Sequence, residues 1–358
     1  MSMYKKLIIS ASATLAVVAI CITSLILLIN ADKKDGNSTL STDDVLTNDA
    51  SADNNDFTSV DAEDSAPNGE SSTEISDDPI VDEKYYLTLP EGTILHSPNV
   101  IVYNLSKQYA VYSNITYETT APASLTKMLT ALVALDHLSV SSTVKVGDEI
   151  DLIGANSSIA FLQKGSRYKV ETMLEALLLP SGNDAAYSLA VNTARAHADD
   201  YTLSTDDAIK DFVRLMNDKA KSLGCISSSF TSPDGYDAEG QYTTTEDMLK
   251  ISIAAYTNPI IKECVAKATN TQHNWQNSNL LIRDDSKYYN PCVDGLKTGS
   301  TDGAGKCLAV SAEIGSDVYI MLFMKGETND GRFIDANTVI DIIKQQNNIF
   351  DEDVSSEG

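Results

Sequence analysis

The chain has 358 residues, 42% of them hydrophobic, enough to bury a sizeable core in one large domain or two ordinary ones. A formal net charge of −25 with no clustered Lys/Arg stripe excludes nucleic acid as a partner, because phosphate recognition needs concentrated positive charge. Its four histidines, His96, His137, His197 and His273, are scattered and no Cys/His pair has metal-ligand spacing, so no metal site, no histidine triad and no cofactor is expected.

The chain opens on Lys5-Lys6 followed by 23 uncharged, mostly apolar residues, Leu7 to Ile29. At 1.5 Å per residue such a run crosses a hydrocarbon core of about 30 Å. The segment beyond it, Asp32 to Asp35, nets to zero, so the positive-inside bias leaves the short N-terminus in the cytoplasm and everything after Ala31 outside. The expectation is a single-pass membrane anchor at residues 1–30 with an extracytoplasmic domain. A cleaved signal peptide that secretes the rest is the alternative, although Ile29-Asn30-Ala31 is a poor small-x-small site.

Ala31 to Lys84 holds sixteen Asp/Glu against three Lys and almost no large apolar side chain. A segment of that composition cannot bury enough surface to offset its chain entropy, and residues 31–84 read as a disordered acidic linker. Residues 85–347 read as one folded catalytic domain, and 348–358 as an acidic C-terminal tail. Cys225, Cys264, Cys292 and Cys307 lie in the exported part, where disulfides can form; their wide gaps leave free thiols equally open.

Within the folded part, Asn99 to Tyr103 and Tyr109 to Tyr112 read as a hairpin. After Pro122, Leu125, Met128, Leu129, Leu132 and Val133 recur at helical spacing with alanines between them, the pattern of a buried helix. Val144 to Ile150 and Ser158 to Phe161 read as short strands or loops. Val170 to Leu179 reads as a second apolar helix, stopped by Pro180, and a further helix starts near Asp184. Asp206 to Leu223 and Thr245 to Tyr256 are predicted helices, the latter with Thr245 as N-cap. The period then changes: Val293 to Gly299, Gly305 to Ile314 and Asp317 to Lys325 read as strands and Ile334 to Gln345 as a closing helix. Helices, strands and a last helix in this order predict an α+β layer architecture with an antiparallel sheet.

Three short elements carry chemistry: Ser124-x-x-Lys127, Ser181-x-Asn183 and Lys297-Thr298-Gly299. Ser-x-x-Lys alone is weak, since Ser2, Ser142 and Ser166 also start one. Only the Ser124 match opens a buried helix and is followed by the other two elements. A hydroxyl is a poor nucleophile until a base takes its proton, and residues three apart on a helix share a face. Apolar neighbours of Lys127 should depress its pKa and free an amine to act as that base. The unpaired amides of the first helical turn can stabilise an anionic intermediate. Ser181 offers a relay hydroxyl and Asn183 either a helix cap or an amide that holds lysine and substrate. Lys297 at a strand end, with Gly299 permitting close approach, offers a permanent cation for an anionic substrate end.

Ala121-Pro122-Ala123-Ser124-Leu125-Thr126-Lys127-Met128, Leu178-Leu179-Pro180-Ser181-Gly182-Asn183-Asp184-Ala185-Ala186 and Asp294-Gly295-Leu296-Lys297-Thr298-Gly299 resemble the serine D-alanyl-D-alanine carboxypeptidases, low-molecular-mass penicillin-binding proteins. Ser232-Pro233-Asp234-Gly235 fits as well. The resemblance covers roughly residues 90 to 345 and implies the penicillin-binding/β-lactamase-like transpeptidase fold, an antiparallel sheet with flanking helices plus a helical subdomain. It implies an acyl-enzyme on Ser124, with Lys127 as base and Ser181 passing the proton to the leaving D-alanine. Asn183, Lys297, Thr298, Gly299 and Ser300 would bind substrate, the amides of Ser124 and Ser300 would form the oxyanion hole, and Arg283 is a looser second carboxylate ligand. The implied substrate is a peptidoglycan stem peptide ending in D-Ala-D-Ala, with β-lactams as inhibitors. A β-lactamase is the nearest alternative, but the Glu-x-x-Leu-Asn of its class A members is missing; a catalytically silent peptidoglycan-binding protein is the other. Many such enzymes carry a C-terminal β-rich domain and amphipathic anchor. Here the 59 residues after Gly299 are taken up by two strands and a helix, so that domain is not expected and attachment is expected at the N-terminus.

Overall fold

The computed structural model describes residues 86–356, with side chains as far as residue 347. The apolar run at 7–29 and the acidic stretch at 31–84, expected as anchor and linker, therefore lie outside the described residues. No helix among the described residues is long and apolar enough to cross a membrane.

β1 (Asn99–Asn104) and β2 (Tyr109–Asn114) form the predicted hairpin, and a 3-10 turn, Ala123–Leu125, runs into α1 (Thr126–His137). A two-stranded ribbon follows, β3 (Thr143–Lys145) with β4 (Arg167–Lys169), then four helices: α2 (Val170–Leu178), α3 (Asn183–Ala198), α4 (Thr205–Ser222) and α5 (Thr245–Thr257). The short α6 (Pro259–Val265) and the ribbon of β5 (Thr269–Asn270) with β6 (Trp275–Gln276) complete the helical half. β7 (Val293–Gly295), β8 (Thr298–Thr301), β9 (Gly305–Ile314), β10 (Asp317–Gly326) and α7 (Gly331–Ser356) close the chain.

The strands join into one antiparallel sheet of order β2-β1-β10-β9-β7, with β8 also on β9. Gly295 pairs Ser311, Lys297 exchanges both backbone hydrogen bonds with Ala309, and Thr298 pairs Leu308. β7 and β8 are thus one strand in pairing terms, as the sequence predicts, kinked by a bulge between Val293 and Gly295.

Alternation along the central strands builds two cores. Ala309, Ile320, Leu322 and Met324 face the helical half, where they join Met128, Leu129, Leu132, Leu177 and Phe212. Leu308, Val310, Met321 and Phe323 face the other way, against Phe333, Val339, Ile340 and Ile343 of α7. Each fully buried Leu or Phe contributes about 1.5–3 kcal/mol, so a two-sided sheet of this size fixes register firmly. This is the predicted α+β arrangement.

Several boundaries differ for local reasons. Thr244, not Thr245, caps α5, its hydroxyl accepting from the Asp247 amide at 3.1 Å. α7 continues to Ser356, through most of the stretch expected as a tail, because Phe333 to Ile343 anchors it on the sheet and nothing after breaks the helix. α6 and the β5–β6 ribbon are too short to carry a period and were not predicted. Cys225, Cys264, Cys292 and Cys307 are free thiols, which closes the disulfide alternative among the described residues. Three of them are buried, and burial pushes the Cys225 thiol up to about 12.

Candidate active site

α1 is so apolar that Lys127 has no route to solvent. The residue is 0% exposed and its Nζ lies 2.8 Å from Ser124 Oγ and 2.9 Å from the backbone oxygen of Asp234. Burial lowers the Lys127 ammonium to about 8, against a partial upward pull from Asp234 and then Asp184. The predicted amine base is in contact with the predicted nucleophile.

Ser124 sits in the 3-10 turn rather than in the α-helix itself, after Ala123 at φ +49°. A non-glycine residue in the left-handed region costs about 1–2 kcal/mol and persists only where the surroundings impose it. Here they do: an added Cβ on Gly235 would stand 1.9 Å from the Ala123 carbonyl oxygen, and one on Gly299 3.0 Å from Ala123 Cβ and 3.3 Å from the Ser124 nitrogen. The nucleophile turn is clamped between the Pro233-Asp234-Gly235 turn and the β8 backbone. Gly235→Ala, at φ +80° and facing a carbonyl, is expected to lower stability by about 2–4 kcal/mol in urea unfolding.

Asn183 is the first residue of α3 and does not cap it; Gly182 is the N-cap position, with no side-chain cap. Its amide instead donates to Asp234 Oδ2 at 2.6 Å. The other Asp234 oxygen accepts from Ser232 Oγ at 2.8 Å and the Tyr236 amide at 3.1 Å. Asp234, 1% exposed, thus ties the second element to the carbonyl that Lys127 contacts, a role that the fit of Ser232-Pro233-Asp234-Gly235 to the family does not by itself reveal. Ser181, buried at φ +64°, forms the sharp turn that leads into α3. Next to it, Asp184 accepts from the Ala160 and Leu162 amides at 2.8 and 2.9 Å, pinning the 155–162 loop over the same turn.

Lys297 is fully buried too, its Nζ donating to the Thr298 carbonyl at 2.8 Å. Burial first, then Lys127 and Arg332, hold its pKa well below the usual lysine range. Its ammonium form is therefore disfavoured by burial, and a carboxylate arriving beside it would favour that form. Thr298 Oγ1 donates to Ser278 Oγ at 2.7 Å. Behind the strand, Arg332 of α7 donates to the carbonyl oxygens of Gly299 and Cys307 at 2.8 and 2.9 Å and to Ser300 Oγ at 3.3 Å. Nothing local in the sequence marks Arg332 or Ser278. Arg283, by contrast, is held by Asp285 in a bidentate pair at 2.9 and 2.7 Å and is not brought to Lys297 by any contact.

Ser124, Asn183, Asp234, Tyr236, Ser300 and Asp302 line an open cleft of about 520 Å³, within the size range of small-molecule sites. Ser124 and Asn183 bring the first two sequence elements to this cleft, and β8 reaches it through Ser300 and Thr301, directly after Lys297-Thr298-Gly299.

A family profile described as D-alanyl-D-alanine carboxypeptidase matches residues 94–328, the stretch that holds all three elements. The chain belongs to that family. DacF of Bacillus subtilis, a D-alanyl-D-alanine carboxypeptidase, is 31% identical over 251 residues, 66% of this chain and 59% of DacF. DacB2 of Mycobacterium tuberculosis is 33% identical over 213 residues, 59% of this chain and 68% of DacB2. Against the first curated relatives the chain spans a little over half of their length. A Streptomyces DD-transpeptidase superposes with a TM-score of 0.63 at 26% identity, over 70% of this chain and 97% of that one. An ampicillin-bound penicillin-binding protein from Listeria monocytogenes gives 0.58 at 27% identity, over 70% and 98%. The fold is therefore that of the DD-peptidases and penicillin-binding proteins.

Proposed function

We propose that this protein is a serine-type D-alanyl-D-alanine carboxypeptidase that removes the terminal D-alanine of peptidoglycan stem peptides and is acylated by penicillins. The observation that carries the reading is the Lys127 amine, fully buried, 2.8 Å from Ser124 Oγ, which lines a cleft that also takes in Ser300 and Thr301, the residues that follow Lys297-Thr298-Gly299. A lysine lowered to about 8 is free amine in useful fraction near neutrality, and its contact with the hydroxyl is the geometry a general base requires.

In this mechanism Lys127 takes the Ser124 proton as Oγ attacks the penultimate D-alanine carbonyl. The amides of Ser124 and Ser300 hold the developing oxyanion, Lys297 and Thr298 hold the terminal carboxylate, and Ser181 hands the proton to the departing D-alanine nitrogen. Asn183, locked on Asp234, orients the lysine and the substrate amide. Arg332 fixes Gly299 and Ser300 from behind so that the strand does not relax when the acyl group arrives. Water then releases the shortened peptide.

Purified protein incubated with a peptide ending in L-Lys-D-Ala-D-Ala is expected to release D-alanine, and with a fluorescent penicillin to become covalently labelled and to turn the penicillin over slowly. No D-alanine release from the wild type rejects the reading, and fast hydrolysis of the penicillin favours a β-lactamase instead.

We further propose that Leu7–Ile29 anchors the protein in the cell membrane with the catalytic domain outside, on the acidic stretch 31–84 as tether. Lys5 and Lys6 before the apolar run support that orientation. The full chain is expected to stay in the membrane fraction after carbonate washing and to be digested by protease added to spheroplasts; release into the wash would favour signal cleavage.

A further inference from the structure

The ribbon of β3 and β4 is the base of an excursion that lines the catalytic cleft with Ala155 to Ser158. Its inner face is apolar: Val144 is buried and Tyr168 packs against the helical core. Alternation turns Thr143, Lys145, Arg167 and Lys169 outward together, and all four are exposed. Lys145 pairs directly with Arg167. Both backbone groups of Lys145 are taken by α3, its amide donating to Asn192 Oδ1 at 3.2 Å and its carbonyl accepting from Asn192 Nδ2 at 2.9 Å. The cross-strand pair is therefore of the non-hydrogen-bonded kind, in which side chains stand closest, and like charges at such a position repel.

Nothing in the fold relieves that repulsion. The chain has 51 Asp and Glu against 26 Lys and Arg, yet among the described residues no carboxylate pairs with Lys145, Arg167 or Lys169. Asp148 and Asp151, on the segment that leaves β3, are both held by Lys164, at 2.8 and 2.6 Å. Elsewhere Arg214, Lys219 and Lys262 each hold a carboxylate. An acidic protein with acids to spare thus leaves three neighbouring cations facing solvent at a position where they repel one another.

We propose that this ribbon is a docking surface for a polyol-phosphate strand, a polyanion whose phosphates recur along a thin, flexible chain. Arg167 offers a planar fork that grips phosphate oxygens in pairs, and Lys145 and Lys169 flank it as point charges. The step from Arg167 to Lys169 along β4 is about 6.8 Å, comparable to one short polyol between phosphates, so successive phosphates can meet successive cations. A lone anion would use only part of this array. A flat anionic bilayer suits it less, because a body with a net charge of −25 would bring its acidic surface against the headgroups, whereas a thin strand follows the ribbon alone. A strand held here keeps the domain at the polymer with the catalytic cleft free, which raises the local concentration of any substrate attached to the same envelope. The inference rests on the proposed placement of the domain outside the membrane, where such a polymer is met, and not on the carboxypeptidase chemistry.

The test follows, by fluorescence anisotropy, a labelled glycerol-phosphate octamer binding to the full chain in neutral detergent, with a glutamate octamer alongside and mixed micelles carrying phosphatidylglycerol as competitor. The wild type is expected to bind the phosphate octamer and to lose about 100-fold in affinity between about 50 and 500 mM salt, the loss that about three phosphate contacts give. A variant carrying Lys145→Gln, Arg167→Gln and Lys169→Gln together is expected to bind about tenfold or more weakly and with little salt dependence. Its urea midpoint is expected to be no lower than the wild type's, because a repulsion has been removed, and its D-alanine release from a soluble peptide to be unchanged. Lys145→Arg, which keeps the charge, is expected to bind like the wild type. No binding at low salt overturns the surface, as does equal binding by the wild type and the triple variant. Equal affinity for the glutamate octamer overturns the assignment to phosphate, and displacement of the octamer by the phosphatidylglycerol micelles shows a bilayer surface in its place. None of these readouts uses D-alanine release, so failure of the carboxypeptidase reading and failure of this surface are told apart.

Discussion

Replacing Lys127 by Met is expected to slow acylation by penicillin about 10³-fold, within the range general-base removal usually costs, without loss of stability. The two halves of this outcome have one cause. A lysine lowered from 10.5 to about 8 by burial destabilises the folded state by about 3 kcal/mol wherever it is charged. Methionine is unbranched, of similar length and needs no proton, so it fills the space at the base of α1 and removes that cost. Against this, the Asp234 carbonyl loses a partner, at about 1–3 kcal/mol if buried and unsatisfied, whereas Ser124 Oγ, half-buried at the open cleft, can take water instead. The balance lies near zero or on the stabilising side. Stopped-flow labelling and urea midpoints of the two proteins check both halves, with Ser124→Ala as the unlabelled control. A Lys127→Met protein that acylates at the wild-type rate means that another group takes the proton.

Much of this site was legible because its chemistry and its helix are both local. Ser124 and Lys127 need only three residues of spacing and a run of Leu, Met and Ala to read as a buried pair, and the structure places them in contact. The sheet was legible through alternation: Leu308 and Val310 against Ala309 along β9 show which residues face which core. What could not be read came from distant segments that meet only in the fold. Asp234 stands 107 positions beyond Lys127 in the chain and Arg332 33 beyond Gly299; Arg332 has no periodic or motif signal, and the turn that holds Asp234 fits the family resemblance without showing what its carboxylate and carbonyl hold. The burial of Lys297 was hidden for a related reason. Spacing shows that a cation lies at a strand end, but not that Lys127 and Arg332 crowd it in a dry interior. Phe161, at φ +59°, is likewise set by Asp184, over twenty residues later, so its outward ring has no sequence signal of its own.

The same depressed lysine sets the pH behaviour of activity and stability. As base, Lys127 must be neutral, so kcat/KM for acylation is expected to rise about tenfold per pH unit from pH 6 and to level near pH 8. Asp234 pulls the Lys127 value upward and touches it through its own backbone oxygen, so Asp234→Asn removes the charge while leaving that carbonyl in place. The ascending limb of the variant is expected at lower pH; a limb that stays put, or moves up, shows that Lys127 is not the group being titrated. Stability moves in one direction. Between about 8 and 10.5 the unfolded chain holds a proton on Lys127 that the folded chain does not, so unfolding free energy increases with pH across that window and is lowest below it. In Lys127→Met that increment, about 3 kcal/mol in the wild type, disappears, and the difference between the two urea midpoints measured at pH 7.5 and at pH 10 isolates it from every other group that titrates over the same range.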